Sequence, residues 1–440
     1  MARADEHRSQ VPASEGERPL QAVRGLPSDD LGRLLRDALD GTGPALLPVP
    51  DGTPDARADE LLDAMRPSSL RTPDGVTTLD GGLPAGVGAA LVITTSGSTG
   101  HPKGVELSAG ALLASARSSV ARIGAAEGDT WLCVLPAGHI SGIQVMMRAI
   151  VTGTEAVHAA FDTDTVMELA HRLRPHISLV PTQLRRLLAS GADLSVFGTI
   201  LLGGAAAEPA LLAAAREAGG RVTTTYGMSE TCGGCVYDGS PLAGALVRIE
   251  ADGPEAAGPD TDGPGAGEAG GVPVPAGSGT PGRILLGGPM LLSGYRMPPG
   301  VAGDPRAMTT DGAGTVWLRT NDLGRLGGDG RLSVLGRMDE VVNTGGHKVV
   351  PGQVNTLLAE HPGVSESVVV GRPDPEWGER VIAVVVPADP GNPPALEELR
   401  ARVRERLPSY AAPRELEVRS ALPMLASGKP DLVALRTAAP

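Results

Sequence analysis

The chain has 440 residues, 41% of them hydrophobic and 20% charged, and a net charge of −13 from 38 Lys and Arg against 51 Asp and Glu. That length and balance suit a soluble globular protein of two or three domains, and the acidic surplus argues against general nucleic-acid binding or docking on an anionic membrane surface. Three cysteines, Cys133, Cys232 and Cys235, are too few for a disulfide framework, residues 1–20 carry no apolar signal core, and no run approaches the roughly 20 apolar residues of a membrane span, so a reduced, cytoplasmic protein is expected.

Residues 89–239 alternate short apolar strands with amphipathic helices. The pattern predicts strands over 90–94, 130–135, 176–180, 199–202 and 221–225. Helices are predicted over 109–122 behind a Ser108 cap, 163–173 behind Asp162, 182–188 and 208–217. Repeated β-then-α units imply a mostly parallel sheet covered by helices, with functional loops at the strand ends. Residues 251–281 are Gly, Pro, Ala and acid with almost no apolar periodicity, which reads as a flexible surface insertion. β-rich pieces follow at 282–286, 315–318 and 331–335. The last hundred or so residues read as a compact α+β unit, with a helix over 354–360, strands over 365–370 and 381–386, and a helix over 395–407 whose Leu396, Leu399, Val403 and Leu407 keep a 3,4 spacing. The fold class expected is therefore α/β: a large domain, 1–336, of mostly parallel sheets covered by helices plus a β-rich subdomain, and a small mobile α+β domain, 337–440.

Only three of the basic residues are lysines, Lys103, Lys348 and Lys429. In so arginine-rich a chain, each surviving lysine is expected where a slim ammonium works and a planar guanidinium does not. Lys103 closes a segment that follows a predicted strand: Thr94, Thr95, Ser96, Gly97, Ser98, Thr99, Gly100, His101, Pro102, Lys103, Gly104. Glycines let a backbone approach phosphate oxygens, hydroxyls and amides donate to them, and the lysine adds a point charge. The spacing is not that of a P-loop NTPase.

This segment resembles the phosphate loop of the adenylate-forming superfamily, which includes acyl-CoA synthetases, peptide-synthetase adenylation domains and luciferases. Four further strings resemble the family's motifs in the right order. They are residues 226–231 (Tyr-Gly-Met-Ser-Glu-Thr), 320–324 (Thr-Asn-Asp-Leu-Gly), 336–339 (Gly-Arg-Met-Asp) and 427–429 (Ser-Gly-Lys). Where Asn321 stands the family usually has Gly, and Asn is expected to keep the turn there.

The resemblance implies two half-reactions: a carboxylate attacks the α-phosphate of ATP to give an acyl-adenylate and pyrophosphate, then the thiol of coenzyme A displaces AMP. Crowded anionic states call for cations, amides and Mg²⁺ rather than a covalent nucleophile. The catalytic set implied is Lys429, the adenylation lysine, with Glu230, Lys103 and Thr95, Glu230 being the Mg²⁺ residue. The nucleotide-binding set implied is Ser96, Gly97, Ser98, Thr99, Gly100, Lys103, Gly203, Gly204, Ala205, Tyr226, Gly227, Met228 and Ser229, with Asp322 on the ribose hydroxyls and Arg337 beside it. Asp339 resembles the hinge about which the C-terminal domain swivels, withdrawing Lys429 and presenting Gly346 and Lys348 for the thioester stage. A glycine turn with a solvated lysine is the plain alternative for that last segment.

Residues 135–142 (Leu-Pro-Ala-Gly-His-Ile-Ser-Gly) resemble the gate of the acyl pocket, with 178–184 and 201–205 as its lining. With 229–239 and 425–431, and with a trimmed segment ahead of the glycine loop, they are similar to the o-succinylbenzoate CoA ligases of menaquinone biosynthesis. Such an acid is a dicarboxylate; His139, Arg148, Thr182 and Gln183 are the candidates by position for holding the second carboxylate, with helix-surface Arg and capping Thr as the plain readings. Cys232-Gly-Gly-Cys235 lacks the second pair a zinc site needs and the context of a thioredoxin-like site, so it reads as pocket wall. A homodimer is the candidate assembly. Other aryl-acid or short-acyl CoA ligases, carrier-loading adenylation enzymes and a catalytically silent nucleotide-binding module are the alternatives.

Overall fold

The computed structural model describes residues 17–50, 52–96, 102–251, 279–424 and 430–437, with backbone alone at Ser96 and Ala251. Gly97, Ser98, Thr99 and Gly100 of the glycine segment, residues 252–278 of the predicted insertion, and Lys429 lie outside the described residues.

The segment ahead of the glycine loop, for which no elements were predicted, builds half of a first sheet. Helix Ser28–Asp40 buries Leu31, Leu35, Ala38 and Leu39, one stripe at helical spacing, against it. The seven strands run in the order Gly294–Arg296, Pro102–Ser108, Ala89–Ser96, Ala45–Pro48, Leu20–Val23, Ser69–Thr72, Gly75–Thr78.

A second seven-stranded sheet carries the predicted β-then-α units. Strands Val222–Met228, Ile200–Leu202, His176–Leu179, Trp131–Cys133 and Ala156–His158 are parallel neighbours, and Gly233–Tyr237 and Ser240–Pro241 add an antiparallel edge. Here the expectation of one mostly parallel sheet over 89–239 needs correction. Ala89–Ser96 turns back into Pro102–Ser108 as an antiparallel pair, so it enters the first sheet, and the two sheets share the residues read as one. The five residues between these strands are far fewer than the dozen or so that a crossover to a parallel neighbour needs.

The predicted helix caps are present. Ser108 accepts from the Ala111 amide ahead of Ala109–Ile123, and Asp162 from the Thr165 amide ahead of Thr163–Leu173. The remaining helices of this region are Ile140–Val151, Pro181–Ala189 and Pro209–Glu217.

A third, antiparallel sheet contains Leu246–Ala251, Gly282–Gly287, Val316–Leu326 and Met308–Thr310, with Leu332–Arg337 on the long strand. Val316–Leu326 outruns its prediction and absorbs the Asn321 turn that was expected. Thr320 and Asp322 point inward and Asn321 outward, the period-2 pattern of a strand, and the side-chain carbonyl of Asn321 accepts from Arg283. The fourth sheet joins His347–Val349, Val342–Thr344, Gly378–Pro387 and Val364–Asp374, with Glu415–Val418 parallel to Gly378–Pro387. Its core of Val354, Leu358, Val381, Val385, Leu399 and Val403 is fed by helices Pro351–Ala359 and Leu396–Arg404, the latter ending before the predicted 407. Among the described residues no helix is long and apolar enough to cross a membrane.

Candidate active site

Thr95 stands opposite Lys103 in the antiparallel pair that leads into and out of the glycine segment. Among the described residues the buried Oγ1 of Thr95 has no hydrogen-bond partner, an unmet polar group of the kind a ligand satisfies. From the returning strand, Lys103 Nζ donates to Glu230 Oε1 at 3.1 Å. The strand can pack this closely because Gly104 has no Cβ, which would sit 2.7 Å from Val92 Cγ1 and 2.8 Å from Met65 Sδ.

Glu230 lies in the short turn Ser229–Thr231 and is only 9% exposed. The turn is pinned by Thr231, whose hydroxyl accepts from the Met228 amide at 3.0 Å and donates to the Gly233 carbonyl at 2.7 Å. A buried carboxylate needs partners. Among the described residues it has two, both on Oε1: Lys103, and the hydroxyl of Tyr295, which donates at 3.0 Å. Tyr295 was not picked out from the sequence. Its signal was rarity, as one of four tyrosines in the chain.

A second cluster lies on the outgoing ends of Val222–Met228 and the third sheet. Tyr226 donates its hydroxyl to Asp322 Oδ2 at 2.7 Å, and Arg337, opposite Asp322 in the strand register, brings Nη1 to 3.6 Å from Oδ1. Burial, then the Asp322 charge and bond, push the Tyr226 hydroxyl well above its ordinary range, so it remains a donor. Gly227 is required where it stands: a Cβ would lie 2.0 Å from the Gly233 carbonyl oxygen. Gly203, Gly204 and Ala205 follow strand Ile200–Leu202; Gly203 packs on Thr225, and Gly204 takes φ +83°.

The carboxylate of Glu230 fits a hard cation held against phosphates. Both of its bonds fall on Oε1, and among the described residues Oε2 takes none. Among those residues no group of three or more His, Cys, Asp or Glu could cage an ion. A single carboxylate completed by substrate phosphates and water is the Mg²⁺ habit.

Of the residues predicted to hold a second carboxylate, His139 is the N-cap residue of Ile140–Val151, in the loop beyond strand Trp131–Cys133. Gln183 is committed to backbone groups: its Oε1 accepts from the Val180 amide at 3.1 Å, and its Nε2 reaches the carbonyl of Val134, 49 residues earlier, at 3.5 Å. Thr182 is its neighbour, so these three share one end of the parallel strands. Arg148 does not join them. It lies about two turns down the helix, its guanidinium 5.3 Å over the ring of Trp131 at the strand's start and its Nε on the Gln144 carbonyl at 3.0 Å.

In the fourth sheet, Gly345 and Gly346 take φ +57° and +79° and close a tight hairpin between Val342–Thr344 and His347–Val349, leaving Lys348 exposed. Asp339 sits in the turn Met338–Glu340. Cys232 and Cys235 are buried, as is Cys133. Burial pushes the Cys133 and Cys235 thiols up to about 11 and about 12, which suits pocket wall and not redox chemistry.

A lysine at the head of a returning strand, a buried glutamate paired with it, and a tyrosine–aspartate–arginine cluster make a candidate site for a nucleotide. The chain belongs to the AMP-binding enzyme family, which it matches over residues 58–296, with the family's C-terminal domain over 353–429. It is 38% identical over 413 residues, covering 91% of this chain and 93% of the other, to a probable 2-succinylbenzoate–CoA ligase of Mycobacterium tuberculosis. A feruloyl-CoA synthase of Amycolatopsis is 32% identical over 397 residues, 87% of this chain and 73% of that one. The structure of o-succinylbenzoate CoA synthetase from Bacillus subtilis with its acyl-adenylate superposes with a TM-score of 0.71 at 26% identity, over 96% of this chain and 88% of that one.

Proposed function

We propose that the chain is an ATP-dependent CoA ligase that converts o-succinylbenzoate to o-succinylbenzoyl-CoA. The observation that carries this reading is the near full-length similarity to the mycobacterial relative, joined to a site whose charged groups are placed for phosphate chemistry. A carboxylate oxygen of the acid attacks the α-phosphorus of ATP, forming an O–P bond as pyrophosphate leaves. The thiol of CoA then attacks the acyl carbon and AMP departs, the thiol proton passing to solvent.

In this reading Lys103 and the glycine segment hold the β- and γ-phosphates, and Thr95 Oγ1 gains the partner it lacks. Mg²⁺, held on Glu230, would neutralise phosphate charge. Asp322 takes the ribose hydroxyls with Arg337 alongside, and Tyr226 lies against adenine. Lys429 reaches the reacting carboxylate and α-phosphate, then withdraws as the domain from 337 onward swivels about Asp339 and brings Gly346 and Lys348 to the thioester stage. His139 and Thr182, at the site end of the strands, are the candidates we retain for the second carboxylate; Arg148, stacked on Trp131, is better explained as core support.

A second reading, an aryl-acid CoA ligase of other specificity, is favoured by the similarity to the feruloyl-CoA synthase. Pyrophosphate release measured with a panel of acids, with and without CoA, separates the two. Release with o-succinylbenzoate far above ferulate, benzoate, acetate and amino acids supports the first. Preference for ferulate supports the second, and no acid-dependent release from folded protein overturns both.

A further inference from the structure

Lys103 and Glu230 form a partly buried ion pair at 3.1 Å, the carboxylate being its buried end, and the nucleotide reading requires that pair to open, the ammonium going to phosphate and the carboxylate to a cation. Removing one member of such a pair leaves the other as an uncompensated buried charge. A third side chain lies against both. Tyr295 donates its hydroxyl to the same Oε1 that Lys103 uses, and its ring lies 4.2 Å under Lys103 Nζ.

Strand pairing, a backbone hydrogen bond and the neighbouring Arg296 side chain fix that position. Strand Gly294–Arg296 pairs with Pro102–Ser108 so that Tyr295 faces Val105, the neighbour of Lys103 on the same strand face. Three residues before Tyr295, the Leu292 amide donates to the Glu230 carbonyl at 2.8 Å. One residue after it, Arg296 donates to the Pro84 and Leu83 carbonyls, both at 2.8 Å, and pairs with Glu106 at 3.3 Å. One short segment thus grips Glu230 by backbone and by side chain.

We propose that Tyr295 is a positioning residue for the ion pair: its hydroxyl keeps Glu230 Oε1 partnered when Lys103 leaves, which aims Oε2 at the cation, and its ring guides the ammonium along its path. Hydrogen bonds to charged groups and cation–π contacts both have the strength for such a role. The proposal rests on the nucleotide-handling part of the function proposed above and not on which acid is used.

The test uses the full chain with the α,β-methylene analogue of ATP and Mn²⁺ followed by electron paramagnetic resonance. Y295F, which loses the hydroxyl and keeps the ring, is expected to weaken Mn²⁺ binding in the ternary complex by about tenfold. Its binding of the metal-free analogue should stay near wild type, whereas Y295L should weaken both. In turnover, Y295F should raise the Mg²⁺ requirement, be rescued by excess Mg²⁺ and leave the KM for the acid unchanged. Mn²⁺ binding by Y295F equal to wild type overturns the proposal, as does a uniform loss of metal, nucleotide and acid binding. If Y295F melts below assay temperature, Y295M, which likewise has no donor, takes its place in the Mn²⁺ measurement. Wild-type protein that binds the analogue and metal but activates no acid removes only the ligase reading; wild type that binds neither removes both.

Discussion

Arg337 holds Asp339 with two nitrogens, Nε at 2.9 Å and Nη2 at 2.8 Å, while its third, Nη1, lies 3.6 Å from Asp322. One guanidinium therefore touches both the proposed ribose carboxylate and the proposed hinge. A lysine could not span them, since it offers a single point of charge where Arg offers a planar fork. Arg337→Lys is expected to raise the KM for ATP and to slow thioester formation together. Asp339→Asn should alter thioester formation with little change in ATP affinity, as read by single-turnover assays of each half-reaction. Equal loss of ATP affinity in both variants would refute the division.

The same contact has a defined pH range. Burial works to raise the Asp339 carboxyl, but the bond and charge of Arg337 outweigh it and hold the group below its usual range. A carboxylate depressed on folding contributes stability above its unfolded value of about 4, lost as pH falls through the folded value. Next to it, burial raises Glu340, which therefore takes up its proton first. The difference in melting temperature between wild type and Asp339→Asn should persist unchanged from pH 7 to about 5 and close only below about 4. A difference that closes by pH 6 would contradict this.

Tyr226→Phe removes one hydroxyl from a carboxylate that is 8% exposed. Urea unfolding should show a loss of about 1.5 kcal/mol, the scale of a hydrogen bond to a charged group. The retained ring should leave adenine binding within a few-fold of wild type, whereas Tyr226→Leu should lose it.

The Cys232 and Cys235 pair lies beside the site, yet burial keeps both thiols protonated. Iodoacetamide at pH 8 is expected to leave all three cysteines of the native protein unlabelled, and to label them in urea. Rapid labelling of the folded chain, followed by mass spectrometry, would show that the segment opens.

Lys429→Ala should abolish adenylate formation and spare thioester formation from supplied acyl-adenylate. Pyrophosphate release and thioester assays read the two separately. Comparable loss in both would remove the swivel assignment.

Much of the site was legible because its residues sit in contiguous strings with a chemical logic. Lys103 meets Glu230, and Tyr226 meets Asp322 with Arg337 beside it, each residue drawn from one of those strings. Periodicity located helix Thr163–Leu173 to the residue because Asp162 marks its start. Sheet membership was less legible: Ala89–Ser96 looks like the first strand of a β-then-α series, and only its antiparallel return through Pro102–Ser108 sends it elsewhere. Tyr295 escaped because its proposed role depends on Lys103, 192 residues earlier and brought near by strand pairing, and on Glu230, 65 residues earlier. That Arg148 lies away from His139 was hidden for the same reason, since sequence distance from His139 does not tell which end of a strand a helix residue overlies.

The scarcity of lysine has a practical side once Lys103 is seen over the Tyr295 ring with its side chain 28% exposed, and Lys348 in the open. An amine-selective reagent meets only three side chains on this protein, and on the proposed reading all of them serve the reaction. Acylation rates at individual amines, read peptide by peptide, would therefore report which stage of the cycle the protein occupies, without any label having to be engineered in.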